Sequence, residues 1–263
     1  MIGRERSYRA EAVVLRRRDL GEADRLLTVY SREHGKLHQI AKGARRPSSR
    51  KAGHLELFTH VLIQAARGRE LDVITQVEAI NPFPGLRGDL TRVGQASYLI
   101  ELIDRFTVDA EPNETLFALL IRSLEYLDRG DDAHNITRAF EMRLLDQAGV
   151  RPELFRCVHC GEEIRPEAQF FSFEDGGVLC RSCGSSAAQA RPISLAALKI
   201  LRHVQRHPLS AYKTMRVRMA VQSELDELME GFLSHILERR LNTPAFLRRI
   251  KQPGGGVEPE IAA

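Results

Sequence analysis

The sequence predicts an α+β protein: a small N-terminal β-barrel, a helical region, and a four-cysteine ribbon set among the helices. Three observations carry this. Apolar residues recur two apart through the first 80 residues, and at i, i+3, i+4, i+7 beyond residue 85. All four cysteines fall between residues 157 and 183. At 263 residues, 43% hydrophobic and 28% charged, the composition is globular, and the length suits about two domains.

Five strands are expected, over about 8–17, 23–31, 35–43, 55–66 and 71–79. The run Arg25 to Tyr30 is short, apolar and β-branched. Leu55, Leu57, Thr59, Val61 and Ile63 alternate, as do Val73, Thr75, Val77 and Ala79. Turn residues separate the runs: Asp19 to Gly21, His34-Gly35, Pro47 to Gly53, and Arg67 to Glu70. Five short strands in so few residues point to a small barrel, of the OB type or SH3-like. The third strand alternates poorly, so its register is the least determined.

Asn81-Pro82-Phe83-Pro84-Gly85 ends the strand region, because proline can neither donate to a sheet nor sit inside a helix. Leu99, Leu102, Ile103 and Phe106 then mark a first helix. Leu116, Leu119, Leu120 and Leu127 mark a second, with Asn113 as its N-cap. A third runs over 135–148 and stops at Gly149. The pair Asp131-Asp132 at its start reads as capping. After the ribbon come helices over 194–206 and 216–241, the latter with a stripe from Leu225 to Leu237. These boundaries divide the chain into a barrel (1–80), a first helical part (81–150), a ribbon (151–190) and a second helical part (191–250). A tail, 251–263, rich in glycine, is expected to be disordered.

The cysteines follow one pattern: Cys157-x2-Cys160, nineteen residues, Cys180-x2-Cys183. Four thiolates at this spacing suit one tetrahedral Zn2+. Each pair is followed by a glycine, Gly161 and Gly184, able to take the positive φ of a knuckle turn. Gln169 to Leu179 reads as a hairpin between the knuckles. Two disulfides would need an oxidising compartment, and the arginine-rich N-terminus is no secretory signal. A redox dithiol would sit in a βαβ setting, which is absent. Four thiolates leave no open position for water, so one structural zinc per chain is expected, with His159 facing solvent.

Charge is uneven beneath the formal net of +4. Residues 1–80 hold 16 Lys and Arg against 10 Asp and Glu, and residues 191–263 hold 12 against 7. Residues 81–150 reverse this, with 7 against 12. Basic ends favour a polyanionic partner. The densest run is Lys42-Gly-Ala-Arg45-Arg46-Pro-Ser-Ser-Arg50-Lys51, at the turn after the third strand. Its glycine, proline and serines predict a mobile loop that tracks a phosphate backbone. Arg16, Arg25 and Lys36 are the other candidate contacts on the barrel. Few aromatics lie nearby (Tyr8, Tyr30, Phe58, Phe83), so backbone-led, sequence-blind binding is expected rather than base stacking. No nucleotide-binding loop, nucleophile elbow, HExxH or dinucleotide fingerprint occurs. A non-enzymatic DNA binder with no small-molecule substrate is expected, away from membranes and in the cytoplasm on the nucleoid. The alternatives are a scaffold for protein partners with weak DNA binding and a metal-dependent nuclease, whose carboxylates need no fixed spacing.

Several stretches resemble the RecO family of recombinational DNA-repair mediators. They are Glu11-Ala-Val-Val-Leu15, Gly21-Glu-Ala-Asp-Arg-Leu-Leu-Thr-Val-Tyr30, Gly35-Lys36, Ala41-Lys-Gly-Ala-Arg-Arg46 and Leu55-Glu-Leu-Phe58. They continue as Phe140-Glu-Met-Arg-Leu-Leu145, Gly149-Val150 and the cysteine ribbon, which only part of that family carries. The resemblance implies an N-terminal OB-fold, an all-helical domain, and a zinc ribbon inserted into or beside it. It also implies binding to single- and double-stranded DNA and annealing of complementary strands. The implied partners are RecR and single-strand-binding protein, in loading RecA. The acidic C-terminal tail of single-strand-binding protein would suit a basic-rimmed groove on the helices, with Arg122, Arg138 and Arg143 as candidates.

Overall fold

The structure, a computed structural model, describes residues 6–212 and 215–251. The expected disordered tail lies outside these residues from 252 onward.

Five strands close a barrel in the order β1-β2-β3-β5-β4: β1 (Ser7–Leu20), β2 (Asp24–Ser31), β3 (Gly35–Ala41), β4 (His60–Ala66) and β5 (Asp72–Asn81). Neighbours are antiparallel except β3 and β5, which pair in parallel at Gln39–Asp72 and Ile40–Val73. This is the five-strand closure of an OB-type barrel, so the SH3-like alternative falls away. The period-two pattern serves two cores at once. Ala12, Val14, Leu27, Val29, Ala41, Val61, Ile63 and Ile74 fill the barrel. Val13, Leu15 and Tyr30 face outward under the helices and join their core.

Several strand boundaries differ from expectation: β1 runs on to Leu20 through the expected turn at Asp19, and β5 to Asn81. β4 begins at His60, not residue 55. Residues 52–54 form a single 3-10 turn, and Phe58 has φ 69°, which no strand allows. Leu55 still alternates inward because it plugs the barrel core. β3 ends at Ala41, where Gly43 at φ 65° turns the chain.

A short helix, α1 (Pro84–Arg87), follows the proline boundary, then α2 (Leu90–Phe106), α3 (Glu114–Arg129) and α4 (Ala133–Gln147). Asn113 caps α3, accepting from Leu116 N at 2.9 Å, and Asp132 caps α4, accepting from Asn135 N at 2.9 Å. α4 is the central helix; most of its side chains are buried, polar ones included.

The ribbon consists of β6 (Gln169–Ser172), β7 (Gly177–Leu179), a short α5 (Arg181–Ser186) and a strand the periodicity did not mark, β8 (Arg191–Ile193), in the order β7-β6-β8. Then come α6 (Leu195–Arg206) and α7 (Met219–Ile236). The helix expected over 216–241 stops early, because Glu238 takes φ 51°. The chain turns there into α8 (Thr243–Lys251), which packs back on α2. One apolar cluster runs from Tyr30 through the helices to Phe171, Val178 and Ile193 of the ribbon. Phe171 meets Phe232 of α7 edge-on, with centroids 5.3 Å apart.

Candidate nucleic-acid interface and metal centre

The first knuckle is a turn after Phe155. Cys157 N donates to Glu162 O and Gly161 N to Cys157 O, both at 2.8 Å, with Gly161 at φ 77°. The second knuckle is α5 itself: Cys180 stands at its N-cap, and Gly184 N donates to Cys180 O at 2.8 Å. Gly184 does not take the positive φ expected of it. It is glycine for space, since a Cβ there would sit 2.4 Å from the Phe170 ring.

The two knuckles bring all four sulfurs within 4.8 Å of one another. Cys160 Sγ and Cys180 Sγ are 3.8 Å apart, and all four cysteines are free thiols. A disulfide needs about 2.05 Å. Metal–sulfur bonds of about 2.3 Å in a tetrahedron imply sulfur–sulfur edges of about 3.8 Å, so the donor set fits a tetrahedral metal ion. Cys180 N points at Cys157 Sγ from 3.3 Å, a bond that would favour the thiolate. His159 is exposed and outside this group.

The basic run on the barrel is built of consecutive turns rather than a loose loop. Asp24 Oδ1 accepts from Gly43 N at 2.8 Å, Arg45 N donates to Ala23 O at 2.9 Å, and Ser49 N to Arg46 O at 2.9 Å. Ala44 is fully buried in the barrel core and pins the middle. The run is thus a series of hydrogen-bonded turns that displays its cations outward. Lys42, Arg46 and Arg50 are exposed, with no ion pair among the described residues. Arg45 is spent on Asp19 and Gly21 O, and Lys51 on Ile74 O.

The other three predicted contacts differ. Arg16 is exposed but pairs with Asp104 of α2 at 2.9 Å. Arg25 lies between Asp19 and Glu56 with its side chain only 19% exposed. Lys36 is 12% exposed, donating to Asp104 O and Thr107 O at 2.9 and 2.8 Å. Arg25 and Lys36 are thus built into the barrel and its joint with α2, because each sits on a strand covered by its neighbours. The residues missed are Arg17, Arg18 and His38. With Arg16, Leu15, Leu26, Thr28 and Leu57 they line a groove on the barrel surface. Arg17 is held there by Glu56, and Arg18 is exposed. The triple Arg16-Arg17-Arg18 was the available signal. The aromatics offer no platform: Tyr30, Phe58 and Phe83 are buried, and Tyr8 donates to Asp72 at 2.6 Å.

Of the three candidate partner residues, Arg122 is exposed on α3. Arg138 is not a surface group. Its side chain is 7% exposed, paired with Glu141 at 2.7 Å and donating to Leu225 O at 3.0 Å, because α4 is covered by α2 and α7. Arg143 caps α6, donating to the carbonyls of Val204, Gln205 and His207. The three do not form one groove.

The comparisons with known proteins decide the family. The model described as "Recombination protein O N terminal" matches residues 5–83, and "Recombination protein O C terminal" matches 87–245. The chain belongs to the RecO family. It is 41% identical to the DNA repair protein RecO of Roseiflexus sp. over 95% of this chain and 88% of that one. It is 40% identical to that of Pelotomaculum thermopropionicum, over 95% and 96%. With that of Desulforamulus reducens it shares 36% over 92% and 94%. Membership of the RecO family places the chain among DNA-repair and recombination proteins. Within the RecO barrel, exposed cations lie on the Lys42–Arg50 turns and the Arg16–Arg18 groove, and others, Arg6, Arg9, Arg67 and Arg69 among them, lie elsewhere on its surface. No helix among the described residues is long and apolar enough to cross a membrane.

Proposed function

We propose that this protein is a DNA-binding recombination mediator without catalytic activity. It holds single- and double-stranded DNA by the phosphate backbone and anneals complementary strands. With RecR it helps load RecA onto DNA coated by single-strand-binding protein. The observation that supports this best is the turn display of Lys42, Arg46 and Arg50 beside the Arg18 groove, on an OB-type barrel of a RecO chain. Cations held open at fixed positions release counterions from a backbone without reading bases. Tyr30 and Phe58 of the barrel are buried, and the half-buried Tyr8 is engaged by Asp72 and Gln39, which supports sequence-blind binding. The four thiolates are proposed to hold one structural Zn2+, since a closed tetrahedral shell leaves no position for water. The boundaries at 80, 150 and 190 are proposed as those of the barrel, the first helical part and the ribbon. RecR and the acidic tail of single-strand-binding protein are the proposed partners, with Arg122 as the exposed candidate for the tail.

The test is fluorescence anisotropy of a labelled oligonucleotide across a salt series. The Lys42→Glu/Arg46→Glu/Arg50→Glu variant should lose more than tenfold in affinity. Its salt slope should flatten by about 2, at roughly 0.7 for each single-strand phosphate the variant no longer neutralises. Equal affinity in variant and wild type would sink the assigned surface.

A further inference from the structure

α6 carries Lys199, Arg202, His203 and Arg206 and no acidic residue at all. At 3.6 residues per turn these positions share one face. The opposite face is the apolar one, with Ala197, Leu198, Leu201 and Val204 buried against the helical core. Lys199, His203, Arg206 and the following His207 are exposed.

Three details turn a basic helix face into an organised surface. First, the Arg206 guanidinium lies over the Phe155 ring at 4.0 Å, and Arg202 lies over the same ring at 5.0 Å. The Phe155 ring holds the Arg206 guanidinium at this distance, while its N–H groups make no hydrogen bond among the described residues. A planar fork held in place with its donors open is suited to phosphate oxygens. Second, Arg202 donates to Leu154 O at 2.8 Å, which ties the segment carrying the stacked ring to α6. Third, the C-terminus of α6 should present partial negative charge to an approaching anion. Arg143 removes that obstacle by donating to the last carbonyls. Two carboxylates act on Arg202: Glu163, which is exposed, and Glu153, which is engaged by Phe155 N and Arg156 N at 2.7 and 3.1 Å.

We propose that the α6 face, with Arg206 stacked on Phe155, is a second binding surface for a nucleic-acid phosphate backbone, separate from the barrel. Lys199 to Arg206 spans about 10 Å along the helix at 1.5 Å per residue. That covers about three phosphates of one strand at 3.4 Å axial spacing. Two backbone-binding surfaces on one chain would let it hold two strands, or two parts of one strand, at once. The proposal rests on the DNA-binding reading above.

The test uses the full chain with its metal. Salt-series anisotropy with a labelled oligonucleotide compares wild type, Lys199→Gln/Arg206→Gln, Arg206→Lys, and a barrel variant, Lys42→Gln/Arg46→Gln/Arg50→Gln. The α6 double variant should flatten the salt slope by about 1.4, two phosphates at roughly 0.7 each. Arg206→Lys keeps the charge but loses the fork, so it should fall between. Capture of a second labelled oligonucleotide by protein already holding a first should drop at least fivefold in the α6 variant. An unchanged slope and unchanged capture would overturn the second surface, while a weakened barrel variant would leave the DNA-binding reading standing. Wild type that binds no DNA would overturn both. Polyglutamate binding abolished in the α6 variant, with its DNA slope intact, would assign the face to an acidic protein segment and overturn the proposal.

Discussion

Gly184 shows how a single residue couples the metal centre to its packing. It sits one position past Cys183, and a methyl group there would meet three atoms of Phe170 at 2.4 Å. Phe170 belongs to β6 and pairs with Leu179 just before the second knuckle, so the ring has a strand to move with it. Gly184→Ala should therefore destabilise by roughly 1–3 kcal/mol, as overpacking does. Thermal unfolding would show it, together with faster metal loss to a chelator. A variant as stable and as metal-retentive as wild type would contradict this packing. Glu141 carries a different kind of tension. Burial pushes its carboxyl up to about 7, against the opposing pull of Arg138 and the Tyr98 hydroxyl at 2.7 Å. In the unfolded chain it titrates near about 4.3. Between those values the folded state binds the extra proton. Its contribution to stability therefore falls as pH rises from about 4.3 to about 7, and is level above that. Urea unfolding of wild type and Glu141→Gln at about pH 5 and about pH 8 should show the difference moving against wild type at the higher pH. Parallel behaviour at both would remove Glu141 as the titrating group.

At the scale of elements, α8 is held by a carboxylate from another helix. Glu101 of α2 accepts from Asn242 N and Thr243 N, each at 2.8 Å, and from the Thr243 hydroxyl. It takes the place of an N-cap side chain, satisfying donors that have no partner within the helix. Gly94 leaves room for Leu247, which would otherwise lie 2.6 Å from a Cβ. Glu101→Ala should cost about 1 kcal/mol and act locally. Hydrogen exchange should speed up across 243–251 while α4 stays protected; equal protection in α8 would refute the cap. This element also shows where sequence reading stops. The stripe from Leu225 to Phe232 was legible because it faces the core at helical spacing. The break after Ile236 was not, because it depends on Glu238 adopting a left-handed backbone that glutamate gives no sign of. α8 is short, and its dependence on Glu101 links residues far apart in sequence. The barrel was legible by period two, and the four cysteines by spacing. The basic surface of the barrel was only half legible. Lys36 and Arg25 look like Lys42 and Arg46 in a sequence, and only the packing of β2, β3 and α2 separates buried from displayed.

For the whole molecule, the uneven charge acquires a spatial meaning. Acids of residues 81–150 sit against the barrel's cations at the joint: Asp104 with Arg16 and Lys36, Asp109 with Lys36, and Glu114 with Arg32. Among the described residues the barrel leaves Arg18, Lys42, Arg46 and Arg50 exposed without an ion pair, as it does Arg6, Arg9, Arg67 and Arg69, so part of the positive charge is cancelled at the joint and the rest is displayed. The same continuity governs the metal site. Phe171 and Phe173 of the ribbon pack on Phe232 of α7, Ile193 lies in the helical core, and Arg202 of α6 donates to Leu154 O and Ile164 O. A ribbon standing alone would unfold alone when its metal leaves. One that shares its core with α6 and α7 should take them with it, because without the metal four thiols no longer hold the knuckles that present those rings. Chelation should therefore lower the midpoint of a single unfolding transition. It should also raise hydrogen exchange in α6 and α7 while the barrel, with its own core, stays protected. Two separate transitions, with α7 unaffected, would show the ribbon to be an appendage rather than part of the helical core.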